Sequence, residues 1–220
     1  MARTSGARNA DFEQRRSELL QRARARLALQ TGEPPSFREL ALAPGVSVAT
    51  LRHYFGSREG LIKALFNYYL QEGQHHLARA RSAEVEGLDL EQTIKVFMQR
   101  VVRGWTQGYV GTLHRIGLAE GLRHHGTALD YLLDVLEPTL QALEVRLQAY
   151  ASRGLMAECD PRHAALMLIS PLLMVLLHQH DLGGTRCRPL SLESFVDEHV
   201  KVFLRAYQPI DRANCEQVAH

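Results

Sequence analysis

The stretch from Ser47 to Tyr54 crowds hydroxyl, cationic and aromatic groups into about two helical turns. Ser47, Thr50, Arg52, His53 and Tyr54 supply them, with the small apolar Val48 and Ala49 between. On one side of a short helix, such a set suits hydrogen bonding to base edges in a DNA major groove and to the flanking phosphates. The eleven histidines offer a second chemistry, metal binding. His75-His76, His124-His125 and the run His178-Gln179-His180-Asp181 stand out. Adjacent helical residues point about 100° apart, and the i,i+2 pair His178 and His180 is little better placed to share an ion. No HExxH or Cys/His ligand spacing occurs, so a His-using metal sensor is carried only as an alternative. Cys159, Cys187 and Cys215 lie far apart with no CxxC pair, which argues against a disulfide framework and fits a reducing cytoplasm. There is no Gly-rich phosphate loop and no GxSxG elbow, so neither an enzyme nor a bound cofactor is expected.

The elements that must position these groups read as helices. No segment alternates apolar and polar residues with β-branched content, and the helical periods are broken by Gly, Pro and small capping residues. The expectation is an all-α chain of about nine helices. The first runs from Asp11 to Gln30, with Phe12, Leu19, Leu20, Ala23 and Leu27 on one side, and Gly32 and Pro34-Pro35 end it. Ser36-Phe37-Arg38-Glu39 is a capping box that starts a short helix, stopped by Pro44-Gly45. Ser47 caps a second short helix through Tyr54, and Leu40, Ala41, Val46 and Leu51 are placed to lock the two together. Two short helices joined by Pro44-Gly45-Val46 have the form of a helix-turn-helix.

Ser57 then opens a long helix with Leu61, Ile62, Leu65, Phe66 and Tyr69 on its apolar side, fading near Glu86-Gly87. Five more helices follow. The stripe Ile94, Phe97, Met98, Val101, Val102 and Trp105 marks one, interrupted by Gly108 and Gly111 before a shorter segment from Thr112 to Arg123. Thr127 begins a long helix with a seam of Leu129, Leu133, Leu136, Leu140, Leu143, Leu147 and Tyr150, a period of about 3.5, which Pro138 bends. Asp160-Pro161 opens a helix through His180, and Ser191 caps the last, through Tyr207.

Phe37-Arg38-Glu39-Leu40-Ala41, followed by Gly45-Val46-Ser47-Val48-Ala49-Thr50-Leu51-Arg52-His53-Tyr54-Phe55-Gly56-Ser57-Arg58-Glu59-Gly60-Leu61, closely resembles the N-terminal domain of the tetracycline-repressor (TetR) family. The match covers residues 12–66, and beyond residue 70 it is one of helix number and order. The resemblance implies a homodimeric transcriptional regulator, usually a repressor, that leaves a palindromic double-stranded DNA operator when a small molecule binds. Carried onto this chain, it implies that Thr50 and Tyr54 contact phosphates or bases and that Arg38 reaches DNA from the preceding helix. Arg58 stands where the family usually has a phosphate-binding lysine. Ser36 and Ser47 cap helices whose N–H ends can also face phosphates. Val48, Ala49 and His53 complete the expected DNA-facing set. The chain departs from the family at Arg52, usually a tyrosine, at Ala49, usually a glycine, and at Pro44 in the turn. Arg52 suits either bidentate reading of guanine or a phosphate contact.

Where families of this kind form pockets, the chain carries Phe66, Tyr69, Phe97, Trp105, Tyr109, His114 and Tyr131, which suggest a small apolar or aromatic effector. Leu166, Ile169, Leu172, Leu173, Leu176 and Leu177 surround most of one helix, more than a single small bundle can bury, so the last two helices are expected to form the homodimer interface. The apolar run from Ala164 to Leu177 is 14 residues long and contains Ser170 and Pro171, so a buried helix is expected rather than a membrane span. No secretory signal is read at the N-terminus, and a cytoplasmic location is expected. Residues 1–63 hold 11 Arg and Lys against 6 Asp and Glu, and residues 64–220 hold 15 against 18. A basic front on an acidic body fits a polyanionic partner for the first part. The expected division is a DNA-binding domain at 10–56 and a ligand-binding and dimerisation domain at 57–208, with flexible tails at 1–9 and 209–220. The remaining alternative is a helical interaction protein that does not bind an operator.

Overall fold

Among the described residues, six helix starts rest on a side-chain oxygen that accepts a backbone N–H two or three residues on: Ser36, Ser47, Ser57, Asp89, Asp160 and Ser191. In the computed structural model, residues 5–29, 34–81 and 89–209 are described, without the side chains of 5–9, 75–77 and 79–81. Gly32, Glu86-Gly87, Cys215, the side chains of His75-His76, residues 1–4 of the first expected tail and 210–220 of the second lie outside these residues, and residues 5–9, expected in the first tail, belong to the first helix. The helices are α1 (Ser5–Ala28), α2 (Phe37–Leu42), α3 (Val48–Phe55), α4 (Arg58–Arg81), α5 (Leu90–Thr106) and α6 (Val110–Gly121). They continue with α7 (His125–Tyr131), α8 (Glu137–Ser152), α9 (Pro161–Leu176), α10 (Gly184–Cys187) and α11 (Leu192–Ala206). No strand occurs among the described residues, so the all-α expectation holds.

The long helix expected from Thr127 is present, but it starts at His125 and its hydrogen-bond ladder widens in the middle. A π-turn, Leu132–Leu136, separates α7 from α8. Pro138 has no N–H to offer the carbonyl of Asp134, and its ring crowds that carbonyl, so the ladder widens just ahead of it. The widened turn shifts the helical phase. Leu140, Leu143, Leu147 and Tyr150 are buried, whereas Leu129 and Leu133 are 56% and 57% exposed. The leucine seam is therefore a packing surface only in its second half.

Packing divides the chain into two units. The first joins Met1–Gln74 with Thr112–Val135, and the second joins His75–Gly111 with Leu136–His220. This grouping does not follow the sequence boundary at 56/57, because it depends on which apolar sides meet rather than on chain order. In the first unit Leu19, Leu20 and Leu27 of α1, Leu40 of α2, Leu51 and Phe55 of α3, Leu61, Ile62, Leu65 and Phe66 of α4, and Leu113 and Ile116 of α6 are buried.

The second unit has one apolar core from α5, α8, α9 and α11, including Phe97, Met98 and Trp105, Leu143 and Leu147, Leu168, Leu172 and Leu176, and Val200 and Phe203. The apolar run at 164–177 lies in this core along one side. By length and composition alone the stretch Pro161–Asp181 is apolar enough to cross a membrane. A second π-turn, Leu177–Asp181, ends that helix. It turns Gln179 inward, where its amide donates to the carbonyl of Arg188 and accepts from the N–H of Leu190, both at 3.1 Å. His178 and His180 are left exposed. Among the described residues no group of three His, Cys, Asp or Glu side chains is arranged to hold a metal ion.

Candidate nucleic-acid interface

The interface begins with a capped first helix. The Ser36 hydroxyl accepts the Glu39 N–H at 3.3 Å, and the Glu39 carboxylate accepts the Ser36 N–H at 2.8 Å. The hydrogen bonds to Ser36 hold the Glu39 carboxyl below its ordinary value. Gly45, at φ 69°, makes the turn, with its N–H on the carbonyl of Leu42 and the Val46 N–H on that of Ala41, both at 3.0 Å. A side chain at that φ would be strained, which is why the turn carries glycine. The Ser47 hydroxyl caps α3 through the Thr50 N–H at 3.0 Å and shares a hydrogen bond with the Thr50 hydroxyl at 2.8 Å.

Leu51 and Phe55, four residues apart, are the buried side of α3. The rest of the helix therefore points outward. Ala49, Arg52 and His53 are exposed, and Val48, Thr50 and Tyr54 are half-buried. Ser36, Arg38 and Ser47 are exposed as well. Nine of the ten residues expected to face DNA thus have accessible surface along α2 and α3. Sequence reasoning missed the support from α1. Phe12 stacks on Tyr54 at 4.7 Å between ring centroids and meets His53 edge-on at 6.1 Å. Arg16 lies 5.6 Å from the centre of the Phe55 ring.

Arg58 is the tenth residue, and the structure places it otherwise. Its side chain is 16% exposed. Nη1 and Nη2 donate to the two carboxylate oxygens of Glu120 at 2.6 and 2.7 Å, and Nε donates to the carbonyl of Pro35 at 2.9 Å. The guanidinium is turned to a buried carboxylate instead of standing clear toward a phosphate, and that contact pushes its pKa up. The sequence did hold a signal for Glu120. Leu113, Ile116, Gly117 and Glu120 follow the i, i+3, i+4, i+7 spacing of one helix side, and a carboxylate on an apolar side needs a cation.

The seven residues expected to line an effector pocket fall in both units. In the first unit Phe66, Tyr69, His114 and Tyr131 are buried. His114 Nδ1 and the Tyr131 hydroxyl are 2.7 Å apart, and the Tyr131 ring packs against Gly117, where no Cβ fits. In the second unit Phe97 and Trp105 belong to the core, and Tyr109 is half-buried. The Trp105 indole N–H donates to Asp181 at 3.2 Å. Two polar clefts open on the first unit. One, of about 510 Å³, is lined by Arg16, Lys63, Asn67 and Tyr68 among others, and one of about 290 Å³ by Arg58, Glu59, Glu120, Arg123 and His124 among others. None of the seven residues lines either.

Burial pushes the His114 pKa down from 6.5 to about 4 and the Tyr131 hydroxyl up to about 12. The unfolded chain takes up a proton at His114 near pH 6.5 that the folded chain refuses until about pH 4. Stability is therefore lost as pH falls through that window, by roughly 3 kcal/mol when complete. Urea unfolding at pH 7 and pH 5 should show this loss, and His114→Gln should flatten the pH slope by close to one proton. An unchanged slope in that variant would place a charged, hydrated imidazole at this position.

A short capped helix, a glycine turn and a second helix with its polar side outward define a helix-turn-helix regulator of transcription. A family model described as the AefR-like transcriptional repressor, C-terminal domain, matches residues 92–209. The chain belongs to the TetR family of transcriptional regulators, in this AefR-like group. No curated protein sequence matches it. Among solved structures it is similar to a Mesorhizobium loti protein described as a TetR-family transcriptional regulator, with 20% identity, 94% of this chain and 100% of that chain covered, and a TM-score of 0.69. It is also similar to the regulator FadR from Bacillus subtilis in complex with stearoyl-CoA, with 14% identity, 85% and 96% covered, and a TM-score of 0.65. A third is SmeT, repressor of the Stenotrophomonas maltophilia multidrug efflux pump SmeDEF, with 18% identity, 87% and 89% covered, and a TM-score of 0.61. At these identities the likeness is one of fold.

Proposed function

We propose that this chain is a homodimeric repressor that holds a two-fold-symmetric operator through α3 and releases it when a small apolar or aromatic effector binds. The observation that carries the DNA reading is the outward side of α3, where Arg52 and His53 stand exposed beside Thr50 and Tyr54 while Leu51 and Phe55 anchor the helix. The dimer reading is supported by the second unit. Met167 and Met174 of α9 and Val202 of α11 are 64%, 62% and 57% exposed, and Leu166, Leu173 and Phe195 are only half-buried. An apolar surface of that extent fits a homodimer interface, often above ~2,000 Å². An apolar effector is in keeping with the stearoyl-CoA bound by the Bacillus subtilis FadR.

The test is selection of duplexes from a randomised pool, followed by footprinting. The expected footprint is two symmetric half-sites separated by one or more helical turns of ~34 Å. Arg52→Ala should weaken binding to the selected duplex by about 10–100-fold and leave random duplexes nearly unaffected. Equal losses on both would make Arg52 a phosphate contact. Failure to enrich any sequence, or protection of a lone half-site, removes the reading.

A further inference from the structure

We propose that Glu120, at the end of α6, is a positioning residue for DNA recognition. Through Arg58 it fixes the start of α2, and with α2 the whole helix-turn-helix. The inference rests on the DNA reading above. Glu120 is the charged member of the buried side of α6, with 1% of its side chain exposed. Both of its oxygens accept from the Arg58 fork, 62 residues away in sequence, and the remaining Arg58 edge holds the carbonyl of Pro35. Pro35 directly precedes Ser36, the cap residue whose hydroxyl and backbone are both tied to Glu39. A run of directed hydrogen bonds therefore leads from α6 to the first residue of the helix-turn-helix.

The chemistry of the fork makes this a matter of direction as well as strength. A guanidinium is planar and rigid, so two bonds to one carboxylate fix the orientation of the third. The Pro35 carbonyl is held from a direction that Glu120 sets. From there the setting passes on, because α2 and α3 share a turn closed by Gly45 N–H to Leu42 and Val46 N–H to Ala41. A tilt at Pro35 is a tilt of the outward side of α3. The other ties in this region have poorer geometry. Arg22 reaches the Pro44 carbonyl at 3.4 Å, and Arg26 meets Glu39 at 3.6 Å with both side chains substantially exposed. Glu59, Arg123 and His124 line the cleft beside the pair.

Two variants of the full chain test this. Glu120→Gln keeps the shape and one acceptor but breaks the charged fork. Arg58→Lys keeps an ion pair but replaces three fixed donors by a point charge. The readouts are hydrogen exchange at the amides of Leu40 to Ala43 without DNA, and affinity at two salt concentrations for the duplex the wild type selects from a randomised pool. In each variant that folds, exchange at these α2 amides should rise about tenfold while the α6 amides keep their protection. Affinity for the selected duplex should fall by about tenfold or more, with random duplexes little affected and the salt slope unchanged. Wild-type exchange in α2, or wild-type affinity in a folded variant, overturns the proposal. So does tighter binding with a slope steeper by about one phosphate, which would mean that Glu120 withholds Arg58 from DNA. If the wild type enriches no duplex, the DNA reading falls, and exchange alone decides whether Glu120 fixes α2.

Discussion

Arg58→Ala is expected to lower the free energy of unfolding by about 3–5 kcal/mol, as much as deleting a large core side chain. The cost lies in what stays behind. Glu120 keeps its carboxylate where 1% of the side chain meets solvent, and loses hydrogen bonds of 2.6 and 2.7 Å. An exposed pair behaves differently. Lys63, 59% exposed in its contact with Asp130, should cost less than about 1 kcal/mol when truncated. Replacing both members, Arg58→Met with Glu120→Leu, should recover most of the loss, because no charge is then stranded in an apolar site. Urea unfolding at neutral pH of the wild type, Arg58→Met, Glu120→Leu and the double variant gives the full cycle, with Arg58→Ala measured beside it. A loss below about 1 kcal/mol for Arg58→Ala would show a solvated guanidinium, the state that a phosphate contact requires.

Trp105→Ala is expected to cost a further ~3–5 kcal/mol, in the second unit. Trp105 is 5% exposed and lies in the core formed by α5, α8, α9 and α11. Its ring is seated on Gly111, where a Cβ would lie 2.7 Å from the ring's Cδ1, and its indole N–H reaches Asp181. Trp105→Phe keeps most of the volume and loses only the donor, so it should cost less, about 1–3 kcal/mol. Gly111→Ala should destabilise in the same direction, because the indole must shift to admit the methyl group. Far-UV circular dichroism on heating is the right probe, since Trp105 is the only tryptophan. A Trp105→Ala chain of wild-type stability that no longer responds to an apolar effector would make the residue a pocket lining.

The caps at Ser36, Ser47, Asp160 and Ser191 were legible in the sequence, whereas α7 starts at His125, behind a residue that makes no side-chain cap, and not at Thr127. Ser36, Ser47, Asp89, Asp160 and Ser191 each bond an N–H two or three residues on, so the partner is specified by local spacing. The same holds for the glycine turn and for the two-sided character of α3, where a four-residue interval between Leu51 and Phe55 fixes which side chains point out. The leucine repeat was visible too, but not which half of it would be buried. That followed from a π-turn whose register answers to Pro138 and to the packing of both flanking helices.

The aromatic residues of the middle helices were recognisable as apolar positions. An apolar side chain looks the same in sequence whether it packs a core or lines a cavity, because both roles ask for the same residue types. The difference between sequence and structure is sharpest at Arg58. The family resemblance turns it toward DNA, and nothing within reach along the chain contradicts that. Its actual partner is 62 residues away on α6, and a charge obeys the nearest opposite charge in a low-dielectric site, which exists only after the chain has folded.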